Sequence, residues 1–336
     1  MKRRKFVKNI GVAAATLPVW GCSVMGGMSK YRKAMPKGDI EYATLGKTGI
    51  KVSRFGFGSH LKKELISNPG FRDKMIKIGF EGGINTFDVY DHGGYNQFAP
   101  MGKSLKDFRK NAIVSLCVVK KTEEVQDEID GALKTFYSDY IDLYRLYTVD
   151  DDRIAIMEKN RKEGKIRAIG VVSHDEPTMM RYLDNYGDTI DYVMIVFNFH
   201  HNNGSYTNEN YPDNDYSALI PRCERMGLGI LGIKPMGSDH MIELAQNKGF
   251  FNDTTANPAQ AMIRYVLKHP EIDCTMPAMN SMKEVYHNLV AAQNPGLSEY
   301  EESLLTKLSD TAAATKRAYL PDHYKWLENW ATKKMV

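Results

Sequence analysis

Residues 82–94, with the sequence GGINTFDVYDHGG, combine a short apolar run with a cluster of ionisable groups. The run contains Ile84, Phe87 and Val89, and the glycines around it favour a fully buried strand over an amphipathic helix. Asp88 lies inside this run. Because a buried carboxylate is costly unless it is paired, the sequence predicts that Asp88 belongs either to a structural ion pair or to a functional site.

Apolar runs and helical segments alternate along most of the chain. We predict strands at residues 55–58, 84–89, 112–119, 140–146, 167–172, 192–197, 229–233 and 274–277. Repeated strand–helix units over about 250 residues are typical of a (β/α)8 TIM barrel, and an open doubly wound sheet is the alternative. In a barrel the functional side chains lie at the carboxyl ends of the strands, so the residues that follow these strands are candidates for a site.

The first 22 residues differ in kind from the rest of the chain. A basic start that contains Arg3 and Arg4 precedes a short apolar stretch, which is the pattern of an export signal. The paired arginines resemble the twin-arginine class, and the residues that end at Cys22 resemble a bacterial lipobox. We therefore expect export across the inner membrane, either to the periplasm or to a lipid anchor at Cys22 in the cell envelope. The alternative is that Cys22 is only a small residue near an ordinary cleavage site.

The remaining residues divide into three predicted segments. Residues 23–41 are rich in glycine, methionine, serine and lysine and lack periodicity, as expected of a tether. Residues 42–310 hold the barrel with an N-terminal hairpin, and residues 311–336 form a C-terminal helical tail.

Composition and cysteine spacing exclude several classes of function. The chain is 43% hydrophobic and 26% charged, which is ordinary for a globular protein. Its basic excess lies in the export signal, so no nucleic-acid partner is expected. Cys117, Cys223 and Cys274 are dispersed, with no C-x-x-C spacing, which argues against a disulfide framework or a metal site. We expect a small-molecule substrate, and the sequence leaves the oligomeric state open, with a monomer favoured.

Several segments together resemble the aldo-keto reductase superfamily. They are LGKTGIKVS at 45–53, GINTFD at 83–88, DYIDLY at 139–144, GKIRAIGV at 164–171, IKPM at 233–236 and a helical segment at 258–264. The resemblance implies a TIM barrel whose chemistry is hydride transfer between NADP or NAD and a carbonyl or an alcohol.

The family uses a tyrosine as proton donor, supported by an aspartate, a lysine and a histidine. The resemblance places the aspartate on Asp88 and, with one residue missing before Gly102, the tyrosine on His92. The lysine position falls on Cys117 and the histidine position on Tyr147. One of the four family residues is therefore kept.

Two interpretations follow from these changes. In the first, His92 and Tyr147 have exchanged places, and one pocket still holds an imidazole and a phenol that can protonate a developing alkoxide. An imidazole with a pKa of about 6.5 needs no neighbouring lysine to act as an acid, so Cys117 would be tolerated. In the second, the site has decayed, Cys117 is a small core residue, and the barrel serves as a binding protein in the cell envelope.

The cofactor positions are also only partly kept. The polar residues that hold the nicotinamide carboxamide in the family fall on Val172, Ser173 and Met194, so two of three are lost. The polar loop at 202–215 would suit a carbohydrate-derived substrate. The helix N-terminus near Ser281 is available to an anion in this interpretation. The residues that the resemblance assigns to the cofactor, NADP or NAD, are Ser173, Lys234, Asn280, Ser281 and Asn288.

Overall fold

The computed structural model describes residues 39–58, 69–89, 97–200, 216–237, 239–250 and 257–315. The predicted export signal with Cys22, most of the tether, most of the tail, His92 and the loop at 202–215 lie outside these residues.

A hairpin precedes the barrel and closes its amino end. It consists of β1 (Tyr42–Thr44) and β2 (Lys51–Ser53), which pair antiparallel. Leu45 and Val52 are fully buried in the same apolar cluster as the residues of the barrel interior. The side chain of Leu45 packs so closely on Gly229 that a Cβ atom there would lie 2.3 Å from it. The hairpin therefore seals the end of the barrel opposite to the expected site.

Seven parallel strands form one sheet in the order of the chain. They are β3 (Thr86–Val89), β4 (Ile113–Val118), β5 (Ile141–Leu146), β6 (Ile166–Val172), β7 (Tyr192–Val196), β8 (Gly229–Ile233) and β9 (Cys274–Met276). The predicted strand at 55–58 lies between the two edges, because Phe57 pairs with Phe87 and Phe55 pairs with Thr275. The sheet thus closes on itself, and the predicted (β/α)8 barrel is confirmed.

Ten α-helices surround the strands in the described part of the chain. They are α1 (Pro69–Glu81), α2 (Phe98–Leu105), α3 (Val125–Thr135), α4 (Asp151–Lys162), α5 (Glu176–Tyr186), α6 (Leu219–Met226), α7 (Asp239–Asn247), α8 (Pro258–Leu267), α9 (Met282–Gln293) and α10 (Glu299–Thr315). Two short 3₁₀ helices, Lys106–Asn111 and Thr122–Glu124, follow α2 and precede α3. Among these helices none has the length and the apolar character needed to span a membrane.

Side-chain caps explain where several helices begin. Asp150, Asp175, Asn257 and Ser281 precede α4, α5, α8 and α9, and each accepts a hydrogen bond from the backbone N–H three residues further on. Such caps satisfy a donor that the helix itself leaves unpaired. They fix the ends of the loops that form the rim of the barrel.

A buried ion-pair network holds the amino side of the barrel together. Asp142 on β5 accepts hydrogen bonds from Arg167 at 2.6 Å and from the backbone of Val114 at 3.1 Å, and Arg109 lies 3.0 Å away. This aspartate belongs to the DYIDLY segment, and its partners come from β4, β6 and the 3₁₀ helix after α2. Its role is structural, since every one of these partners is a backbone group or a fixed cation.

Candidate active site

Asp88 is buried and paired in the interior of the barrel. The residue is 3% exposed, and Arg145 on β5 binds both carboxylate oxygens, with Nη1 2.5 Å from Oδ1 and Nη2 3.2 Å from Oδ2. The hydroxyl of Ser115 on β4 donates to Oδ1 at 2.7 Å and accepts from Arg145 at 2.9 Å. Residues of β3, β4 and β5 therefore form one ion-pair cluster, and Arg145 is the partner that the sequence predicts for Asp88.

Cys117 lies beside this pair but cannot supply a charge to it. It is opposite Arg145 in the β4–β5 register and is 4% exposed. Burial raises the pKa of the Cys117 thiol to about 12, and the nearby Arg145 only partly offsets this effect. The thiol is neutral at neutral pH, so it does not replace the lysine of the resemblance as a cation.

Tyr147 follows β5 and packs at the same wall of the barrel. Its backbone N–H donates to Val118 at 3.3 Å, which continues the β4–β5 ladder by one residue. Its ring is partly buried against the apolar cluster that contains Cys117 and Met194. Because side chains alternate along a strand, Tyr147 and Arg145 project to the same face, with Tyr147 nearer to the carboxyl end. Asp88, Cys117 and Tyr147 are thus brought together, whereas His92 lies outside the described residues.

A second phenol, Tyr192 on β7, lies in the interior below these residues. It is fully buried, and its ring covers Gly170, where a Cβ atom would lie 2.2 Å from the ring. Burial raises its pKa, with Arg145 acting in the opposite direction, so the phenol is neutral. In the part of the chain that the structure describes, its hydroxyl has no hydrogen-bond partner. The signal that could have found Tyr192 is the glycine at the facing position on β6.

Two basic side chains lie at the carboxyl ends of β6 and β8. Lys234 directly follows β8 with a φ of 54°, a left-handed conformation that is uncommon for a residue with a side chain. Its Nζ is buried without a hydrogen-bond partner among the described residues, and burial lowers its pKa to about 7. Burial, together with the charge of Lys234, holds the pKa of His174 well below its usual value. A buried amine without a partner at the rim of a barrel fits an anionic group of a ligand.

The other predicted cofactor residues are engaged with the chain itself. The Ser173 hydroxyl donates to the backbone carbonyl of Asp175 at 3.1 Å, at the start of α5. Asn280 donates its backbone N–H to Glu284 at 2.7 Å, and the Ser281 hydroxyl lies 3.0 Å from the same carboxylate. A carboxylate of this chain therefore occupies the N-terminus of α9, where the sequence analysis expected an anion. Asn288, on the same helix, is 2% exposed; its role in cofactor binding stays a prediction, as do those of Ser173, Asn280 and Ser281.

We expect Ser281→Ala to lower the free energy of unfolding by about 1 kcal/mol, because the variant loses the hydroxyl that caps α9. Urea unfolding of the variant would measure this loss. Ser281→Thr keeps the capping oxygen and serves as the control, with a stability close to that of the unchanged protein. If Ser281→Ala were as stable as Ser281→Thr, the cap would contribute nothing.

The structure does not indicate a metal centre. Within the described ranges, no group of three or more histidine, cysteine, aspartate or glutamate side chains is arranged to hold a metal ion.

Comparison with known proteins gives the same fold and assigns a family. Residues 67–249 match the model of the Aldo/keto reductase family, which is more than half of the chain. L-galactose dehydrogenase from Arabidopsis thaliana is 24% identical over 290 residues, covering 75% of this chain and 88% of that protein. An aldo-keto reductase from Bacillus halodurans superposes with a TM-score of 0.63 at 21% identity, covering 80% of this chain and 96% of that chain.

A third relative was solved with a bound nucleotide. The aldo-keto reductase from Klebsiella pneumoniae, in complex with NADPH, superposes with a TM-score of 0.63 at 19% identity and covers 80% of this chain and 95% of that chain. The closed barrel and the family match over residues 67–249 lead to one conclusion. The chain belongs to the Aldo/keto reductase family.

Proposed function

We propose that this protein is an NAD(P)-linked oxidoreductase that acts on a carbonyl or an alcohol. The observation that carries the proposal is the amine of Lys234, which is buried without a partner among the described residues at the carboxyl rim of a family barrel. An anionic nucleotide cofactor would supply the partner that this amine lacks. The NADPH bound to the Klebsiella relative supports the same ligand class.

Lys234 is the residue that we propose as a cofactor contact, and its buried amine supports this role. When bound, a nicotinamide cofactor supplies or accepts the hydride of the reaction. The N-terminus of α9 is a poor second anion site, because the Glu284 carboxylate already accepts hydrogen bonds there. The choice between NADP and NAD therefore depends on contacts other than this helix end.

Proton transfer is assigned to the two residues that the family resemblance places at donor positions. Tyr147 and His92 are the proposed donors to the carbonyl oxygen as it becomes an alkoxide. Cys117, as a neutral thiol, forms part of the apolar wall. Asp88 is not a donor in the proposal, because the Arg145 guanidinium already binds both of its oxygens.

A carbohydrate-derived substrate is part of the proposal. Two observations support it, namely the polar sequence of the loop at 202–215 and the name of the Arabidopsis relative, L-galactose dehydrogenase. Export by the twin-arginine route, with a lipid anchor at Cys22, is proposed from the sequence alone. That route carries folded proteins, so a cofactor acquired in the cytoplasm could accompany the chain.

Titration of the purified protein with NADPH and with NADH tests the proposal. We expect a saturable increase in nicotinamide fluorescence, followed by oxidation of the bound cofactor when aldoses or their lactones are added. Absence of binding at millimolar cofactor would contradict the oxidoreductase assignment. Binding without turnover of any carbonyl or alcohol would favour the alternative, a barrel that has become a binding protein.

A further inference from the structure

The Asp88–Arg145 pair is buried, bidentate and bridged by a hydroxyl. Arginine binds the carboxylate through two nitrogens, and the Ser115 hydroxyl bridges the same oxygen and the same guanidinium. Arg145 and Asp88 are 3% exposed, so the charges are shielded from solvent. The pair lies near the carboxyl ends of β3 and β5, on the side of the barrel where family members carry their chemistry.

The register of the sheet explains how this pair arises. Cys117, where the resemblance expects a lysine, is directly opposite Arg145 in the parallel ladder between β4 and β5. Directly paired residues on adjacent strands place their side chains on the same face of the sheet. A cation at position 145 therefore reaches the carboxylate from the neighbouring strand, and the small side chain of Cys117 leaves room for the guanidinium.

We propose that Arg145 has taken over the position of the missing lysine, as the counter-ion of Asp88 and as a positioning residue beneath Tyr147. This second role rests on the proposed function, whereas the first does not. Alternation along β5 and its continuation places the two residues on the same face, with the phenol next to the guanidinium toward the carboxyl end. Relative to the family arrangement, the positive charge that faces Asp88 lies on β5 instead of β4, and the ion pair is kept.

Arginine changes the chemistry of the pair relative to lysine. Burial alone would lower the pKa of Arg145, but the carboxylate of Asp88 raises it above the ordinary value. A guanidinium is not deprotonated in proteins, whereas a buried lysine releases its proton readily. The pair in this barrel is therefore a fixed source of charge and cannot pass a proton to a donor above it.

Replacing Arg145 on β5 and introducing a lysine at position 117 on β4 tests the inference in the full-length protein. Arg145→Met removes the guanidinium from the buried carboxylate of Asp88, and we expect the melting temperature to fall by about 10 °C. Cys117→Lys combined with Arg145→Met places a lysine where the family resemblance expects it, and should recover at least half of that fall. Asp88→Asn combined with Arg145→Met removes both charges and provides a foldable reference if the single variant fails to fold.

Steady-state kinetics distinguish a positioning role of Arg145 from a purely structural one. Arg145→Met should lower kcat by ~10²-fold with KM within about threefold, and the variant with lysine at position 117 should regain about tenfold. A double variant that melts no higher than Arg145→Met would overturn the relocation, because lysine at 117 would then not reach Asp88. If Arg145→Met lost stability but kept its kcat, the positioning role would be wrong. Should the unchanged protein bind no cofactor, the proposed function fails, while the melting temperatures still decide the relocation.

Discussion

Replacing Tyr147 with phenylalanine is expected to lower kcat for carbonyl reduction by ~10²-fold or more, because the variant loses a phenol that can protonate the developing alkoxide. Phenylalanine keeps the ring that packs, partly buried, against the interior cluster. The melting temperature should therefore stay close to that of the unchanged protein. Steady-state kinetics with saturating cofactor would measure the effect, and cofactor affinity is the control that should not change.

The same assay applied to His92→Ala tests the other proposed donor. The family resemblance places this residue at the position of the usual tyrosine, and loss of its imidazole should also cost ~10²-fold in kcat. An imidazole with the ordinary pKa of about 6.5 loses its proton as the pH rises, so a reduction that it catalyses should slow above that pH. If both Tyr147→Phe and His92→Ala kept the kcat of the unchanged protein, neither residue would be the proton donor.

Sequence reasoning identified that Asp88 needs a partner but not which residue provides it. The apolar run around Asp88 is a local signal, whereas Arg145 is 57 residues further along the chain. Their contact depends on the register of three strands, which the hydrophobic pattern of each strand does not determine. A single arginine inside the buried run of β5, two residues before Tyr147, was the available signal.

At the N-terminus of α9, the position transferred from the family and the structure disagree. Ser281 and Glu284 have the spacing of a capping box, in which serine and glutamate satisfy each other's backbone donors. The sequence interpretation took the same helix end as an anion site for a cofactor. In the structure Ser281 accepts from the backbone N–H of Glu284, as in a capping box, while the Glu284 carboxylate accepts from the Ser281 hydroxyl and from the backbone N–H of Asn280, one residue before the cap. A local motif with a known geometry was thus a better guide here than a position transferred from the family.

The basic side chains at the rim of the barrel, Lys234 and His174, could be identified only by combining the family resemblance with the structure. Lys234 was assigned to the cofactor from the resemblance, and its conformation and burial became known only from the fold. His174 was not assigned a role, because its proximity to Lys234 depends on the ends of β6 and β8, which flank β7. The closed curvature of a barrel brings the ends of strands that are not neighbours close together, although their residues are distant in the sequence.

Cofactor affinity is expected to fall as the pH rises above about 7, the pKa to which burial lowers Lys234. A bound phosphate group favours the charged ammonium, so binding requires a proton on Lys234. Below that pH the amine is already protonated, and the dissociation constant should be level. Above it, the protonated fraction of free Lys234 falls roughly tenfold per pH unit. The dissociation constant should rise by the same factor until the pH reaches the pKa of Lys234 in the complex.

NADH is the cofactor for this measurement, since it has no 2′-phosphate that titrates near neutrality. His174 does not interfere, because burial and the charge of Lys234 keep its pKa well below the range studied. Calorimetry in buffers of different ionisation enthalpy should show proton uptake on binding just above neutral pH. Uptake close to zero throughout would mean that the amine of Lys234 does not meet an anionic group.

Two substitutions at position 234 make the assignment specific. Lys234→Met should weaken NADH binding by about 10- to 100-fold at neutral pH, the range expected when a charge-assisted hydrogen bond in a buried site is lost. Lys234→Arg keeps a charge that does not titrate, so its affinity should remain level across the same pH range. A methionine variant that binds as tightly as the unchanged protein would exclude Lys234 from the cofactor site. An arginine variant that retains the full pH dependence would assign the titration to another group, and the buried amine would then need a different explanation.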